Sequence, residues 1–392
     1  MFNIRKACQL TCLLTILTFV FVFKANVELW CPFGGVETLY SLISEGNLVC
    51  ALASSNLIML IGILFLTLLF KRVFCSYLCP LGTISELFFK LGRKLKLPEV
   101  TVPEKADKFL SLFKFVSLAF ILWLTVKTGE LAFRGFDPCY ALISRHGKDI
   151  TIVAYIVSGI FILASMIFKL PFCRWFCPFA PVLNLFSKAG ITKVKINQSQ
   201  CLECGKCNKA CPMQIAVSKF KEISHGRCTN CLECVDACPV KEQTPIALTT
   251  LSGSSFKHIR YAMIALIACA LGLTFLAGCL FDFPSYTASR NELKGANQAV
   301  LELEVSNITC NGSAKSFRDF LFREDDSKVK GPLLLEVYTS LDWAKVKIKY
   351  DSKTTSPSEL KNAIIESRFD PVSKCWLDSP FEIKGYDILD DI

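Results

Sequence analysis

Two consecutive copies of one cysteine motif constrain the fold of this 392-residue chain more than any other feature. Each copy has the form Cys-x-x-Cys-x-x-Cys-x-x-x-Cys-Pro. Three closely spaced thiolates wrap one part of a cubic iron–sulfur cluster, and the fourth, before the proline, reaches the other cluster. The motif therefore predicts two [4Fe–4S] clusters. We name them cluster one, with the ligands Cys201, Cys204, Cys207 and Cys238, and cluster two, with the ligands Cys228, Cys231, Cys234 and Cys211.

Other uses of these cysteines fit the sequence less well. A structural zinc site needs four ligands but not a doubled run, and disulfides are rare in the cytoplasm. The whole chain has 21 cysteines and three histidines. Because it contains no Cys-x-x-Cys-His motif and no histidine within an apolar run, we predict no haem.

The apolar residues, 52% of the chain, are grouped into blocks, which is typical of a membrane protein with soluble attachments. A helix of about 20 apolar residues crosses a hydrocarbon core of about 30 Å. Five segments approach this length, and the first has a signal peptide as its alternative interpretation. We predict an α-helical membrane protein with spans at Ala7–Phe23, Leu52–Phe70, Phe109–Val126, Ile150–Phe168 and Ile259–Phe281.

The charges of the loops predict the orientation of these spans. Residues 25–50 contain no Lys or Arg, whereas residues 71–108 contain eight and residues 169–257 contain twelve. The positive-inside rule then places the N-terminus and both basic segments in the cytoplasm, and the C-terminal tail outside. The net charge is +14 up to residue 281 and −4 from residue 282. The basic excess therefore belongs to the membrane part, and we predict the lipid bilayer, not nucleic acid, as a partner.

The membrane part contains an internal repeat. Tyr40–Ser44 matches Tyr140–Ser144, and each stretch precedes an apolar span that ends in a basic residue and a Cys-x-x-x-Cys-Pro motif. A spacing of four places both thiols of a motif on one face of a helix, which the proline ends or bends. We favour a further metal or redox site here, and the alternative is that the thiols pack as small apolar side chains. These four residues, the CxxxCP cysteines, are Cys75, Cys79, Cys173 and Cys177.

Together these motifs resemble the polyferredoxin membrane proteins. That family includes membrane components of the electron supply to nitrate and nitrous oxide reductases, and a cytochrome oxidase assembly factor linked to copper reduction. The resemblance covers roughly residues 28–245 and implies electron transfer at the cytoplasmic membrane, often from quinol, to redox protein partners. The flavin-attachment motif of some members is absent here, which argues against a covalent flavin.

Three further cysteines, Cys31, Cys50 and Cys139, fall on the outer side of the predicted topology. A disulfide or a redox pair among them is one interpretation, although sequence alone does not give connectivity. On the cytoplasmic side, only 23 residues separate Cys177 from Cys201. This short connection permits electrons to pass from a membrane site into cluster one.

The C-terminal tail has the pattern strand, helix, strand, strand, helix over residues 299–368. Period-two alternation marks the strands, and Ser356 to Glu359 form a capping box. The pattern predicts an α+β domain of the βαββαβ type. The segment around Cys310 resembles the heavy-metal-associated domain, but Ser313 occupies the place of the second metal-binding cysteine, so that a metal site at Cys310 is weakly indicated.

The predicted organisation has four parts. A membrane domain (1–190) with four spans in two repeats precedes a two-cluster ferredoxin domain (191–248). The fifth transmembrane helix (259–281) then leads to the α+β domain (296–392). The sequence supports a membrane-bound iron–sulfur protein that passes electrons between a quinol-type donor and redox partners, with any catalysis in a partner or at the CxxxCP cysteines. The alternative is a metal-handling protein that reduces or delivers copper or another thiophilic ion to the outer domain.

Overall fold

The structure is a computed structural model. It describes residues 4–23, 31–45, 53–128, 131–144, 151–240, 245–249, 264–269, 272–273, 286–290, 298–308, 311–322, 331–338, 343–366, 368–370 and 375–386. The chain forms two compact units. The first contains residues 1–33, 58–123 and 132–277, and the second contains residues 34–57, 124–131 and 278–392.

Among the described residues before residue 190, the regular secondary structure is helical. Short 3₁₀ and π-helical turns occur at Ala132–Gly135 and Phe172–Phe176. The α-helices are α1 (Ile4–Phe21), α2 (Pro32–Glu45), α3 (Ala53–Phe70), α4 (Val73–Tyr77), α5 (Pro80–Lys94), α6 (Glu104–Leu110), α7 (Phe113–Thr128), α8 (Pro138–Ile143), α9 (Ile152–Ile167) and α10 (Phe179–Lys188).

Four of these helices coincide with predicted spans. Two stretches are long and apolar enough to cross a membrane, namely α1 and Glu104–Thr128, in which α7 follows α6 directly. Two shorter apolar stretches are Asn56–Phe70, within α3, and Ile152–Ile167, which is α9. Of the predicted fifth span, Ile259–Phe281, residues 264–269 and 272–273 are helical, and the rest lies outside the described residues. The number of spans therefore stays a prediction.

The apolar helices expose large hydrophobic side chains along their outer faces. Examples are Phe65 on α3, Val116 and Phe120 on α7, and Ile160 and Leu163 on α9, all of which are about half exposed or more. Apolar surface of this extent is unfavourable in water, because the transfer of apolar surface out of water lowers the free energy. These faces suit contact with lipid.

A residue with left-handed backbone conformation lies within three residues after the end of each of two apolar helices. Lys71, after α3, has φ +58°, and Leu170, after α9, has φ +47°. L-residues with side chains rarely adopt this conformation, since it brings Cβ close to the backbone. The turn redirects the chain from the span into the segment that carries the cysteine pair.

Helix α5, which follows the first cysteine pair, packs against α9 of the other repeat. A Cβ atom built on Gly92 would lie 2.1 Å from the carbonyl oxygen of Met166, so the two backbones are in direct contact. The buried hydroxyls of Ser85 and Ser165 are hydrogen-bonded at 2.9 Å. This approach requires glycine at residue 92.

The reciprocal contact is made by the chain that follows α10. The backbone N–H groups of Ile191 and Thr192 donate to the carbonyl oxygens of Leu68 and Leu69 at 2.9 and 3.1 Å. These two residues are at the end of α3, in the first repeat. Each repeat therefore packs its later segment against the span of the other repeat.

The next part of the first unit is a small α+β fold with short helices α11 (Lys206–Ala210) and α12 (Glu233–Asp236). Its antiparallel sheet has the strand order β2-β1-β3, with β1 at Lys193–Ile196, β2 at Glu222–Ile223 and β3 at Ile246–Thr249. The buried core consists of apolar strand residues such as Val194 and Leu248 and of cysteine side chains. The sequence did not predict this sheet.

In the second unit, the C-terminal residues form a four-stranded antiparallel sheet. The observed order of strand, helix, strand, strand and helix from residue 298 to residue 365 agrees with the predicted pattern. Strand β4, which the sequence did not predict, extends the sheet beside β6, and the strand order is β4-β6-β7-β5. The elements are β4 (Tyr286–Arg290), β5 (Gln298–Ser306), α13 (Asn311–Phe322), β6 (Leu333–Tyr338), β7 (Trp343–Asp351) and α14 (Pro357–Ile365).

The last strand of the predicted βαββαβ pattern does not join this sheet. The segments β8 (Arg368–Asp370) and β9 (Cys375–Leu377) pair only with each other. The free edge of β5 is instead met by an antiparallel bridge between Val305 and Ile383. The predicted capping box is present, because Ser356 and Glu359 each accept a hydrogen bond from the backbone N–H of the other.

Candidate iron–sulfur sites and the adjoining cavity

The four cysteines predicted for cluster one surround one small cavity. Apolar residues such as Val240 and Ile246 complete its wall. Gly205, with φ +68°, provides the left-handed turn from which α11 begins within the motif. Cys204 is exposed, whereas Cys207 and Cys238 are buried. The site therefore has one edge at the protein surface.

The four cysteines predicted for cluster two surround a second small cavity, whose wall includes Met213 and Ile223. Cys211, the last cysteine of the first run, lines this second cavity. Cys238, the last cysteine of the second run, lines the cavity of cluster one. The backbone N–H of Ile215 lies 3.4 Å from the Cys211 sulfur. The structure thus brings the cysteines together in the crossed grouping that the spacing predicts.

These two sites fit four-iron clusters better than single metal ions. Among the described residues, no three Cys, His, Asp or Glu side chains converge closely enough to bind one ion. A tetrahedral zinc site with bonds of about 2.3 Å would hold its sulfurs about 3.8 Å apart. In a cubic cluster each thiolate binds a different iron, so its sulfurs lie farther apart. Each set of four cysteines lines a cavity and does not converge on one point, which is compatible with that requirement.

Cluster two, not cluster one, is next to the ends of the apolar helices. The Ser76 hydroxyl donates to the Thr229 carbonyl oxygen at 2.8 Å, and the Asn230 amide donates to the Phe70 carbonyl oxygen at 3.0 Å. The passage of electrons into cluster one, which the short connection permits, stays a prediction. The short connection after Cys177 runs into β1, and the fold then turns the second cysteine run toward the membrane part.

Buried cations from the helical part lie within electrostatic range of three cluster-two thiols. The charge of Lys71 interacts electrostatically with the Cys228 thiol, that of Arg5 with the Cys231 thiol and that of Arg174 with the Cys211 thiol. Arg5 also pairs with Glu86 and Glu233, and Arg174 pairs with Asp107. The Lys71 ammonium donates to the Ile223 carbonyl oxygen at 2.6 Å. Positive charge near a cluster favours its reduced form and raises its reduction potential.

The sequence predicted that the two cysteines of each repeat lie on one face of a helix, and the structure shows that this prediction is wrong. Cys75 is in α4, but Cys79 lies beyond its end and is the N-cap residue of α5, which begins at Pro80. Cys173 is in the π-helical turn, and Cys177 follows it. The helix breaks between the two cysteines of each pair, since the proline that follows supplies no N–H; α5 begins at Pro80, and α10 begins directly after Pro178.

The CxxxCP cysteines nevertheless form one group, because all four thiols lie within electrostatic range of one another. Cys75 and Cys173 line a small cavity that also touches Met213 and Thr229, beside cluster two. Cys79 and Cys177 line a different, larger cavity. The group therefore lies between cluster two and that larger cavity.

Arg72 is a buried cation within this group and is only 1% exposed. Its Nη2 lies 3.7 Å from the Cys75 sulfur, and its Nη1 donates to the Asn184 side-chain oxygen at 3.1 Å. Its Nε has no hydrogen-bond partner, and no carboxylate of the described residues forms an ion pair with it. Sequence analysis did not single out Arg72. The available signal was a basic residue directly after an apolar span and before a cysteine pair.

The larger cavity has a volume of about 630 Å³, within the range of small-molecule sites. Aromatic rings of Phe33, Phe74, Phe133 and Phe179 form much of its wall. Phe33 packs edge-on against Phe133 and Phe179, with ring centroids 4.7 and 6.3 Å apart. The cavity suits a planar, mostly apolar ligand.

Among the described residues that line this cavity, Asp137 is the one with a carboxylate side chain. Burial raises the pKa of Asp137 to about 7, although the backbone N–H groups of Cys139 and Tyr140 donate to it and oppose that shift. Cys31 and Cys139 line the same cavity, and Cys139 lies within electrostatic range of both Cys31 and Cys79. Cys139 therefore lies close both to Cys31 and to a CxxxCP cysteine.

Some predicted residues have no described position. Cys50 and Cys310 lie outside the described residues, and nothing in the structure bears on a metal site at Cys310. The residues that the sequence interpretation missed are those that border the cysteine groups, Lys71, Arg72, Asp107 and Asp137. Each is buried or nearly so. For Lys71, Arg72 and Asp137, the sequence signal was a charged residue close to a cysteine, whereas Asp107 has no cysteine near it in the sequence.

Family models agree with the location of these sites. A model described as a 4Fe-4S binding domain matches the chain twice, at residues 52–98 and 150–197, and each match contains one CxxxCP pair. A second model, described as a 4Fe-4S dicluster domain, matches residues 193–243. The chain belongs to the polyferredoxin-type electron-transport family. It contains 4Fe–4S domains, as the two family models describe them.

Members of this family are similar over part of their lengths. An uncharacterized protein of Methanocaldococcus jannaschii, MJ0750, is 34% identical over 55% of this chain and 84% of its own length. A putative electron transport protein of Escherichia coli, YccM, is 31% identical over 50% of this chain and 57% of its length. The ferredoxin-type protein NapH of Escherichia coli is 28% identical over 45% of this chain and 58% of its own length. The chain thus spans less than two thirds of YccM and NapH. No solved structure matches it.

Proposed function

We propose that this protein is bound to the cytoplasmic membrane and transfers electrons from a quinol-type donor, through two [4Fe–4S] clusters, to redox protein partners. The observation that carries this proposal is the spatial order of the sites. The apolar cavity adjoins the CxxxCP cysteines, these adjoin cluster two, and Cys234 of cluster two is within electrostatic range of Cys207 of cluster one. Cluster one reaches the surface at Cys204.

The cavity supplies what quinol oxidation requires. Oxidation of one quinol to quinone releases two electrons and two protons, and each cluster accepts one electron at a time. Asp137, when ionised, can accept one of these protons at the cavity wall, since its raised pKa is close to physiological pH. The second proton leaves to solvent. The cations beside cluster two favour its reduction by a donor of moderate potential.

The order of the sites is tested with two matched variants of the full-length protein. Cys234→Ser removes a ligand of cluster two, and Cys204→Ser removes a ligand of cluster one. We expect a soluble quinol to reduce cluster two in Cys204→Ser but not cluster one in Cys234→Ser, whereas dithionite reduces the remaining cluster in both. Electron paramagnetic resonance (EPR) reports each cluster. Reduction of cluster one by quinol in Cys234→Ser would contradict the proposed order.

We further propose that the N-terminus and the two-cluster part are cytoplasmic and that the C-terminal domain lies outside. The distribution of Lys and Arg supports this orientation. An enzymatic reporter that is active only outside the cytoplasm should work when fused after Asp282. Activity of the same reporter fused after Pro245 would show the opposite orientation.

A metal-handling role is the second candidate, and one observation favours it. The thiols of six cysteines line the 630 Å³ cavity, namely Cys8, Cys12, Cys31, Cys79, Cys139 and Cys177. Thiols are the soft ligands that copper(I) prefers. In this case the purified protein should bind copper(I) in competition with a chelator, and quinol should not reduce the clusters. Quinol-dependent reduction without copper binding would favour electron transfer instead.

A further inference from the structure

The exposed edge of cluster one carries an inference that rests on the proposed function and names the class of redox partner. Cys204 is an exposed ligand of this cluster, whereas Cys207 and Cys238 are buried. The rate of electron transfer between two proteins falls steeply with the distance between their redox centres. A partner that exchanges electrons with cluster one therefore has to bind over this edge.

Three neighbouring segments form the surface around the edge. They are residues 198–204, helix α11 and residues 217–221. Cys204, Cys207 and Ser218, one from each segment, line the cavity of cluster one. The Asn208 amide donates to the Ser218 hydroxyl at 2.8 Å, and the Ser218 N–H donates to the Asn208 side-chain oxygen at 2.9 Å. The Gln198 amide also donates to the Ser218 carbonyl oxygen at 3.3 Å. The three segments are therefore held together as one surface.

This surface has a surplus of exposed positive charge. Residues 198–221 contain four lysines and one carboxylate, that of Glu203, and all five residues are exposed. None of the four lysines forms an ion pair within the part of the chain that the structure describes. The carboxylate of Glu104, which lies within electrostatic range of Lys219, pairs with Lys108. We name these four residues the cluster-one lysines: Lys206, Lys209, Lys219 and Lys221.

Large apolar side chains are exposed on the same surface. Leu202, which lines the cavity of cluster one, is 68% exposed, and Phe220, between two of the cluster-one lysines, is 40% exposed. Exposed lysines alone are stable in water, and lysines on a cytoplasmic face also follow from the positive-inside rule. Exposed apolar contacts together with a charged rim and an exposed cluster ligand are typical of a site for protein binding.

We propose that this surface binds a soluble electron-transfer protein whose own redox centre is surrounded by Asp and Glu side chains. Opposite charges steer the two proteins together and orient their redox centres, while Leu202 and Phe220 provide the apolar contact. One electron then passes from reduced cluster one to the oxidised centre of the partner. No bond is formed or broken, and the electron lost by the cluster is the electron gained by the partner.

Two forms of one acceptor test the sign of the charge. Native cytochrome c is basic, and cytochrome c with succinylated lysines is acidic, although both carry the same haem. The full-length protein in a non-ionic detergent is reduced with dithionite, the excess is removed, and stopped-flow absorbance follows haem reduction. At low ionic strength the acidic form should be reduced at least about tenfold faster than the basic form, and about 0.5 M salt should remove most of this difference. Faster reduction of the basic form, or no dependence on salt, would overturn the proposal.

Charge-reversal variants locate the surface. The double variant Lys209→Glu, Lys219→Glu should slow reduction of the acidic form by at least about tenfold and accelerate reduction of the basic form. Lys353→Glu, at an exposed position of the C-terminal domain, is the control and should behave as the wild type. Midpoint potentials from EPR should be the same in all three proteins, because the substitutions act on docking. Equal rates in the wild type and the double variant would overturn the proposal, and impaired membrane insertion of that variant would then assign the lysines to the anionic lipid surface.

Dithionite supplies the electrons in these experiments, so their outcome does not depend on a quinol site. If quinol fails to reduce the clusters while the acidic acceptor still reacts faster, the proposed donor is wrong and the docking surface stands. If quinol reduces the clusters but charge reversal has no effect, the docking surface is wrong and the proposed donor stands.

Discussion

Lys71 and Arg72 are consecutive buried cations that face different cysteine groups. Lys71 acts on Cys228 of cluster two, and Arg72 lies 3.7 Å from the sulfur of Cys75. The left-handed backbone of Lys71 turns the chain sharply between them. A single turn at the end of α3 therefore delivers positive charge to two neighbouring groups of cysteines.

Removal of the Lys71 charge should lower the midpoint potential of cluster two. In Lys71→Gln the reduced cluster loses a nearby cation, so its potential should fall by on the order of 50–100 mV, equivalent to about 1–2 kcal/mol for one electron. Redox-titrated EPR measures the shift. Lys195→Gln replaces a half-exposed lysine on β1 and is the control. An unchanged potential in Lys71→Gln would show that this ammonium does not tune the cluster.

The crossed ligand sets predict which substitutions damage the same cluster. Cys201→Ser and Cys238→Ser should remove one and the same EPR signal, because both cysteines line the cavity of cluster one. Cys211→Ser should remove the other signal, although it is closer in sequence to Cys201. If Cys201→Ser and Cys211→Ser removed the same signal, the crossed grouping would be incorrect.

Quinol-driven reduction should depend on the ionisation of Asp137. The carboxylate accepts a proton only when ionised, and its pKa is raised to about 7. The rate should therefore increase as the pH rises from about 6 to about 8 in the wild type. Asp137→Asn should reduce the rate at about pH 8 by at least about tenfold and remove this pH dependence. Stopped-flow absorbance measures the rate, and reduction by dithionite should be the same in both proteins.

The close contact of α5 with α9 predicts an unusual sensitivity at Gly92. Gly92→Ala places a methyl group against the backbone of Met166 and should cost about 1–3 kcal/mol of stability. Gly159→Ala, in α9, meets no atom within 4 Å and should be neutral or stabilising by up to about 1 kcal/mol. Thermal unfolding in detergent compares the two. Equal transition temperatures would show that the helices can separate without loss of stability.

Much of the ferredoxin-type part could be predicted from sequence, because the spacing of the cysteines itself determines which thiols can share a cluster. The strands of the C-terminal domain were also predictable, since alternation of apolar residues reports burial of one face. Strand β4 was missed because Tyr286–Arg290 is short and lies at the edge of the sheet, where pairing with β6 rather than local pattern defines it. The pairing of β8 with β9 depends likewise on tertiary structure.

The site beside the membrane part was predicted less completely. The sequence indicated that the CxxxCP cysteines act together, but the interruption between Cys75 and Cys79 removed them from a common helix face. Proximity along the chain drew attention only to cluster one, whereas the two-cluster fold turns its second run toward Phe70. Long-range contacts of this kind are not encoded in any local pattern.

The reciprocal packing of the two repeats has a consequence for how the protein is made. Because α5 needs α9, and the end of α3 needs Ile191 and Thr192, neither half can complete its structure until the ribosome has produced both. The two halves are not interchangeable in this assembly, because Arg72 stands where the second half has Leu170.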